Sequence, residues 1–193
     1  AEIEHSIVKS ISSAMAAILI LMVIGALSGT WLLSGIVPAM IYYGLKILNP
    51  TIFLFAATIV CCIVSMATGS SWSTVATVGI ALLGIGKTLG ISEPIIAGAI
   101  ISGAYFGDKM SPLSDTTNLA PAMAGTDLFT HIRYMVYTTA PTLVITLAIF
   151  FIWGFTLDTS ATAPETESVL KAIDAAFDLN PILFVVPAIV LVM

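Results

Sequence analysis

The sequence predicts an all-α integral membrane protein with several membrane-crossing helices. Hydrophobic residues make up 59% of its 193 residues and charged residues only 9%, whereas a soluble domain carries about 25% charged residues. The stretches 10–45, 47–86 and 134–157 contain no charged residue at all. Each stretch is long enough for a helix of about 20 apolar residues, which is the length that crosses a lipid bilayer.

The first two elements differ in length and in their aromatic content. Residues 12–33 form the first predicted span. Residues 35–48 are too few to cross the bilayer comfortably, and they contain Tyr42, Tyr43 and Lys46. Because tyrosine and lysine side chains suit the boundary between lipid and water, we predict an interfacial helix over 35–48.

Residues 51–89 contain two apolar runs that are separated by the polar sequence TGSSWST at 68–74. The runs could be two complete crossings joined by a turn, or the two legs of a re-entrant hairpin whose tip stops inside the membrane. An exposed loop would usually carry a charge or a proline, and this tip has neither. Its small hydroxyl residues suit packing inside protein, so the sequence favours the re-entrant hairpin, with two full spans as the alternative.

Residues 92–125 are predicted to form one crossing that is interrupted in its middle. Its first half, 95–106, is rich in small residues, which allow transmembrane helices to approach closely. We expect this half-helix to end at Gly107. The polar sequence GDKMSPLSDTT follows, with Pro112 at the break.

The last complete predicted span is 134–157, with Arg133 just before it. Residues 158–180 follow as an acidic loop, and 181–193 begin a further span that is truncated. Basic flanks normally lie in the cytoplasm, so the span runs outward and the acidic loop is extracytoplasmic. We expect 1–157 to be a portion of the membrane domain of a longer protein.

The polar sequence GDKMSPLSDTT places charges inside a predicted crossing. A charge at the bilayer centre costs roughly 2.5–3.5 kcal/mol on insertion scales, so Asp115 and, second, Asp108 are candidates for a functional carboxylate. Carboxylate, hydroxyl and carbonyl oxygens suit hard cations, and many secondary transporters build an ion site at a broken helix. The candidate cation- and proton-binding residues are Asp115, Asp108, Ser111, Ser114, Thr116 and Thr117 in the broken crossing, and Ser70, Ser71, Ser73 and Thr74 at the hairpin tip.

Simpler structural roles stay open for the same residues. Asp115 could cap a helix that starts at Thr116, Lys109 could form an ion pair with Asp108, and the serines of the hairpin tip could satisfy a tight turn. If a carboxylate does bind the ion, it binds either a cation or a proton, because cation ligation needs the deprotonated form. A site that opens to one side at a time would then exchange cations for protons.

Two motifs resemble the NhaC family of sodium/proton antiporters, which belongs to the ion transporter superfamily. They are TGSSWSTVATVGIALLGIG from Thr68 and GAIISGAYFGDKMSPLSDTTNLAPAMAGTDLFTHI from Gly98, and the resemblance covers most of 12–157. It implies an inverted-repeat transporter fold with a re-entrant hairpin and a broken helix in each half, of which this chain holds one. It also implies that all the candidate residues above except Ser73 and Thr74 match positions of the ion site.

The predicted function is therefore exchange of Na⁺ or Li⁺ for H⁺ by alternating access in a bacterial inner membrane. Na⁺ would bind at Asp115, at neighbouring Ser and Thr hydroxyls and at backbone carbonyls. We expect no cofactor and no enzymatic activity. The expected partners are the lipid bilayer, the transported ions, the second half of the same chain and a second copy in a homodimer. The sequence has no basic patch for nucleic acid.

Two other functions stay open. Relatives of this family exchange carboxylates, of the malate/lactate type, coupled to Na⁺ and H⁺; no arginine lies near the candidate site to bind a carboxylate, which favours plain cation exchange. An intramembrane protease is the second. The sequence YFGD at 105–108 matches half of the GxGD motif of such proteases, but its first residue is tyrosine and no partner motif occurs.

Overall fold

The computed structural model describes residues 29–47, 49–157 and 163–186, together with isolated positions among the first 26 residues and Ile189. Every regular element in these residues is helical, as the sequence predicts. The predicted span 12–33 lies outside the described residues except for its last positions and a few isolated ones. Most of the predicted span 181–193 also lies outside them.

Helix α1, Ile36–Ile47, occupies the segment predicted to lie at the membrane interface. It begins after Gly35, whose φ of +88° is accessible to glycine. Near its end the Lys46 ammonium donates to the Tyr42 hydroxyl at 2.7 Å and lies 4.0 Å from the centre of that ring. The position of α1 at a membrane surface stays a prediction.

Helices α2, α3 and α4 form the segment predicted as a hairpin. Helix α2, Pro50–Thr68, ends at Gly69 in a left-handed conformation with φ +69°. The short helix α3, Ser71–Thr74, continues through a π-helical turn at Val75–Gly79 into α4, Ile80–Thr88. The connection between the two legs is therefore only Gly69 and Ser70, which is shorter than the predicted polar tip at 68–74.

The predicted broken crossing contains two helices, α5 at Glu93–Met110 and α6 at Asp115–Ala124. The prediction that the first helix ends at Gly107 is wrong, because α5 continues through Asp108 to Met110. It stops there because Ser111 precedes Pro112, and a residue before proline is driven out of the helical region. Ser111 is accordingly extended, with φ −78° and ψ 127°.

The remaining helices also differ from their predicted limits. Helix α7, Leu128–Gly154, begins six residues before the predicted start at 134, because the Asp127 side chain accepts from the Thr130 N–H and caps it. The predicted acidic loop 158–180 contains a helix, α8, at Ala163–Ala176, so it is not only a loop. A 3₁₀ turn at Pro181–Phe184 follows.

Helices α2 and α5 pack side by side and run in the same direction. Gly103 and Gly107 of α5 face the backbone of α2: a Cβ atom on Gly107 would lie 2.5 Å from the Cys62 carbonyl oxygen. Ser65 of α2 donates to the Ala104 carbonyl at 2.5 Å. Small residues allow this close approach between helices in a membrane. The contact places the end of α2 beside the end of α5.

Two described helices, α2 and α7, are long and apolar enough to cross a membrane by length and composition. At a rise of 1.5 Å per residue, α2 is about 28 Å long and α5 about 27 Å, close to the roughly 30 Å of a bilayer core. Helix lengths therefore do not distinguish a re-entrant hairpin from two full spans.

Candidate functional site

The site lies where two interruptions in the helices meet. The turn after α2 contains Gly69, and the break after α5 contains Leu113. A Cβ atom on Gly69 would lie only 2.6 Å from the carbonyl carbon of Leu113, so the two segments are in contact. The Ser111 hydroxyl donates to the Met66 carbonyl at 2.7 Å and fixes the break against the last turn of α2.

Asp108 is the carboxylate at this meeting point. Its Oδ2 accepts a hydrogen bond from the Ser71 hydroxyl at 3.0 Å, so it links α5 to the first turn of α3. Its Oδ1 is buried and has no hydrogen-bond partner among the residues that the structure describes. A buried polar atom without a partner is rare in folded proteins and calls for a specific explanation.

The hydroxyl residues of the break are engaged with backbone groups. The Thr117 hydroxyl donates to the carbonyls of Asp108 and Lys109 in the last turn of α5, at 3.1 and 3.2 Å. The Asp108 carbonyl also accepts from the Ser111 N–H at 3.3 Å. Ser114 is the cap of α6, accepting from the Thr117 N–H, and its hydroxyl lies 2.9 Å from that of Thr116. These side chains satisfy backbone groups at the interruption.

The residues of the hairpin tip stabilise the turn. The Ser70 side chain accepts from the Ser73 N–H at 3.2 Å and caps α3. The Thr74 hydroxyl is buried and donates to the Ser70 carbonyl at 2.9 Å. Of the four candidates in this segment, Ser71 is the one that the structure joins to an acidic side chain.

Asp115, the first candidate from the sequence, lies apart from this group. It is exposed in the first turn of α6, and its Oδ1 accepts from the Thr116 N–H at 2.8 Å. The alternative role that stayed open for Asp115, capping this helix, falls to Ser114, which adopts the extended conformation and accepts the capping bond. The role of Asp115 in ion binding stays a prediction.

The ion pair of Lys109 with Asp108, which the sequence left open as an alternative, is not formed. In the described part of the chain, the ion pairs join Lys87 to Glu93 and Lys171 to Glu167. The Lys109 ammonium instead lies over the Tyr105 ring, 5.1 Å from its centre. Successive residues of a helix point about 100° apart, so the Lys109 side chain turns away from the face of α5 that holds Asp108.

Sequence reasoning did not identify the backbone of Met66 and Gly69 as part of this site. Met66 contributes a carbonyl oxygen, and Gly69 contributes the absence of a side chain. Neither residue has a polar side chain that a search for ligands would detect. The positive φ of Gly69 is a conformation that glycine adopts readily. In the sequence, the feature that could have indicated this turn is a glycine directly before two serines.

Comparison with known proteins agrees with the resemblance seen in the sequence. The profile of the Na⁺/H⁺ antiporter family matches residues 103–193. The malate-2H⁺/Na⁺-lactate antiporter of Bacillus subtilis is 45% identical over 99% of this chain and 41% of its own length. The NhaC Na⁺/H⁺ antiporter of Alkalihalophilus pseudofirmus is 42% identical over 100% of the chain and 41% of its own length.

A third relative, the arginine/ornithine antiporter ArcD of Halobacterium salinarum, is 44% identical over 82% of the chain and 33% of its own length. No solved structure matches the chain significantly. The chain thus spans about two fifths of the length of the relatives it matches. These relatives are antiporters, which are transporters rather than enzymes. Because the similarity extends over almost the whole chain, the protein belongs to the Na⁺/H⁺ antiporter family of membrane proteins.

Proposed function

We propose that the protein exchanges Na⁺ (or Li⁺) for H⁺ by alternating access, as a multi-pass protein of the bacterial inner membrane. The observation that carries this proposal is the Asp108 carboxylate, which has one oxygen held by Ser71 and the other buried without a partner. The carboxylate lies where two interrupted helices meet. This arrangement is typical of ion sites in secondary transporters.

The chemistry follows from the ligands that surround Asp108. A hard cation needs several oxygen ligands, and the hydroxyl of Ser71 and the carboxylate of Asp108 are already in contact. The other candidate residues would complete the shell through hydroxyl or carbonyl oxygens, and Asp115 would join them if the rest of the protein brings it close. Because a protonated carboxyl group binds a cation poorly, protons and Na⁺ compete for Asp108.

We further propose that α2, α3 and α4 form a re-entrant hairpin and that the chain is one of two inverted repeats. The support is the contact between Gly69 and Leu113, which brings a helix turn and a helix break to the same level. Backbone interruptions within a membrane are tolerated where they are buried in protein. The lipid bilayer, the rest of the protein and a second copy in a homodimer would then cover the exposed faces of the helices.

The proposal is tested with the full-length protein in inverted membrane vesicles that carry an imposed pH gradient. Adding NaCl to wild-type vesicles should collapse the gradient, and KCl should not. The variant Asp108→Asn keeps the shape of the side chain but removes its charge, so we expect Na⁺-driven collapse to fall at least tenfold. Exchange should rise with pH while the carboxylate is being deprotonated and fall when protons become limiting.

Two further variants each remove one carboxylate, the first as a control and the second as a test of a rival site. Asp127→Asn removes an exposed carboxylate that caps α7, and asparagine caps helices equally well, so exchange should persist. Asp115→Asn tests the first candidate from the sequence. Wild-type exchange in Asp108→Asn would overturn the assignment of Asp108, and loss of exchange in Asp115→Asn alone would move the site to α6.

Carboxylate exchange is the second candidate function. The relative in Bacillus subtilis is named for malate and lactate, and the observation in this chain that favours it is Lys109, a cation with no acidic partner among the described residues. In the vesicle assay, collapse of the gradient that requires an added organic acid as well as Na⁺ would select this function over plain cation exchange.

A further inference from the structure

Ser65 is a polar residue of α2 that has no part in the ion site proposed above. Its side chain is fully buried. Its hydroxyl donates to the Ala104 carbonyl of α5 at 2.5 Å, and its Cβ lies only 2.7 Å from the place that a Cβ atom on Gly107 would take. Ser65 therefore packs directly on the turn of α5 that leads to Asp108.

The acceptor of this hydrogen bond connects Ser65 to the backbone of Asp108. In an α-helix each N–H donates to the carbonyl four residues before it, and α5 is helical through Met110. The Asp108 N–H therefore shares the Ala104 carbonyl with the Ser65 hydroxyl, and a carbonyl oxygen has two lone pairs for two donors. The hydroxyl of Ser65 thus fixes the turn that carries the carboxylate against α2.

The backbone carbonyl of Ser65 holds the other segment of the site. It accepts from the Gly69 N–H at 2.8 Å, which closes α2 at its left-handed turn, and from the Thr68 hydroxyl at 3.4 Å. That turn leads directly to Ser71, whose hydroxyl donates to the Asp108 carboxylate at 3.0 Å. Through its hydroxyl and its carbonyl, one residue therefore holds both segments that meet at this carboxylate.

Thr58, two turns earlier in α2, makes a comparable contact away from the site. Its hydroxyl is fully buried and lies 3.2 Å from the Ala99 carbonyl of α5 and 2.9 Å from the Leu54 carbonyl of its own helix. Ala99 precedes Asp108 by nine residues, which is about 14 Å along the helix. The contact of Thr58 therefore joins the same two helices without holding the turn that carries the carboxylate.

We propose that Ser65 is a positioning residue of the cation site: it sets the distance between the Ser71 hydroxyl and the Asp108 carboxylate, and with it the affinity for Na⁺. The inference rests on the proposed function, because it takes Asp108 as the carboxylate that binds the cation. A binding site needs its ligands held within about 0.5 Å of the productive geometry by residues around them. Ser65 supplies that support from α2 without touching the cation.

The test measures the Na⁺ concentration that gives half-maximal exchange by the full-length protein in the inverted vesicles described above. This concentration does not depend on how much folded protein a vesicle contains, so it separates positioning from a loss of stability. Ser65→Ala removes the hydroxyl and keeps the Cβ atom, and we expect the half-maximal concentration to rise about fivefold. Thr58→Val removes the matched hydroxyl and should leave this concentration unchanged, although both variants should unfold at a lower temperature in detergent.

Two additional variants test the route through Ser71. Ser65→Cys keeps the shape of the side chain and offers a weaker donor, so its half-maximal Na⁺ concentration should lie between those of the wild type and Ser65→Ala. It also decides the question if Ser65→Ala does not fold. In a Ser71→Ala background the position of the missing hydroxyl no longer matters, so adding Ser65→Ala should change the half-maximal concentration less than it does in the wild type.

Three results would overturn the proposal. The first is a wild-type half-maximal Na⁺ concentration in both Ser65→Ala and Ser65→Cys, since Ser65 would then only pack the two helices. The second is an equal rise in Ser65→Ala and Thr58→Val. The third is a full additional effect of Ser65→Ala in the Ser71→Ala background. If exchange is lost in Asp108→Asn, these failures leave the proposed function intact, whereas wild-type exchange in Asp108→Asn would remove both proposals.

Discussion

The contact between α2 and α5 predicts a large effect from a single methyl group at Gly107. A Cβ atom there would lie 2.5 Å from the Cys62 carbonyl oxygen and 2.7 Å from the Met66 nitrogen. Both atoms belong to the backbone, which is too closely packed to yield locally. To restore an ordinary contact of 3.4 Å, Gly107→Ala must separate the helices by about 0.9 Å.

Gly98 provides the matched control on the same helix, because a Cβ atom there meets nothing within 4 Å. Alanine is better than glycine inside a helix by about 1 kcal/mol, so Gly98→Ala should be neutral or slightly stabilising. Gly107→Ala gains the same amount but adds an overpacking cost of about 1–3 kcal/mol. We therefore expect Gly107→Ala to be less stable than Gly98→Ala by about 1–3 kcal/mol.

Thermal unfolding of the full-length protein in detergent, followed by intrinsic fluorescence, measures this difference. Separation of α5 from α2 would also displace the neighbouring Asp108, so the stabilisation that Na⁺ gives should be smaller in Gly107→Ala than in Gly98→Ala. Equal unfolding midpoints for the two variants would refute the reasoning, because the close approach of the helices would then be absent in the protein.

Two other predictions concern the turn after α2. Gly69 and Gly125 both have φ +69°, so alanine costs roughly 1–2 kcal/mol of backbone strain at either position. In Gly69→Ala the new Cβ atom also collides with the backbone of Leu113, so we expect this variant to be less stable than Gly125→Ala by about 1–3 kcal/mol. Equal unfolding midpoints for the two variants would show that the turn and the break are not in contact. In a background without Cys61 and Cys62, Trp72→Cys tests the re-entrant hairpin. A hairpin that enters from outside predicts slow labelling from the cytoplasm, whereas labelling as fast as at His131→Cys would indicate two full spans.

The helical fold could be predicted from the sequence because hydrophobicity and charge vary in long blocks. The apolar run that became α2 is bounded by Asn49-Pro50 and by Gly69, and both boundaries coincide with helix ends in the structure. The end of α5 was harder to predict. Gly107, Asp108 and Lys109 look like a helix end by composition, but Asp108 is held by Ser71 and Gly107 packs on α2. Those contacts come from distant parts of the chain.

The different surroundings of the two aspartates could not be predicted for a similar reason. Asp108 and Asp115 have equal polarity and both lie in the same eleven-residue motif. What separates them is the direction in which each helix presents its side chain. Asp108 lies near the end of α5 and faces α3. Asp115 is the first residue of α6, the helix that follows the break, and its side chain is exposed there. Composition carries no information on that change of direction.

The polar residues at the two interruptions fall into two groups with different expected effects. The hydroxyls of Ser111, Thr117 and Thr74 bind backbone carbonyls at the break and the turn, so they reduce the cost of an interrupted helix in lipid. Removing one of them should lower stability first and transport only as a consequence. The Asp108 carboxylate keeps one buried oxygen without a partner in the described structure, which costs stability unless a ligand binds it. Polar atoms that satisfy the backbone hold the fold, and the atom left over is the one that we propose for ion binding.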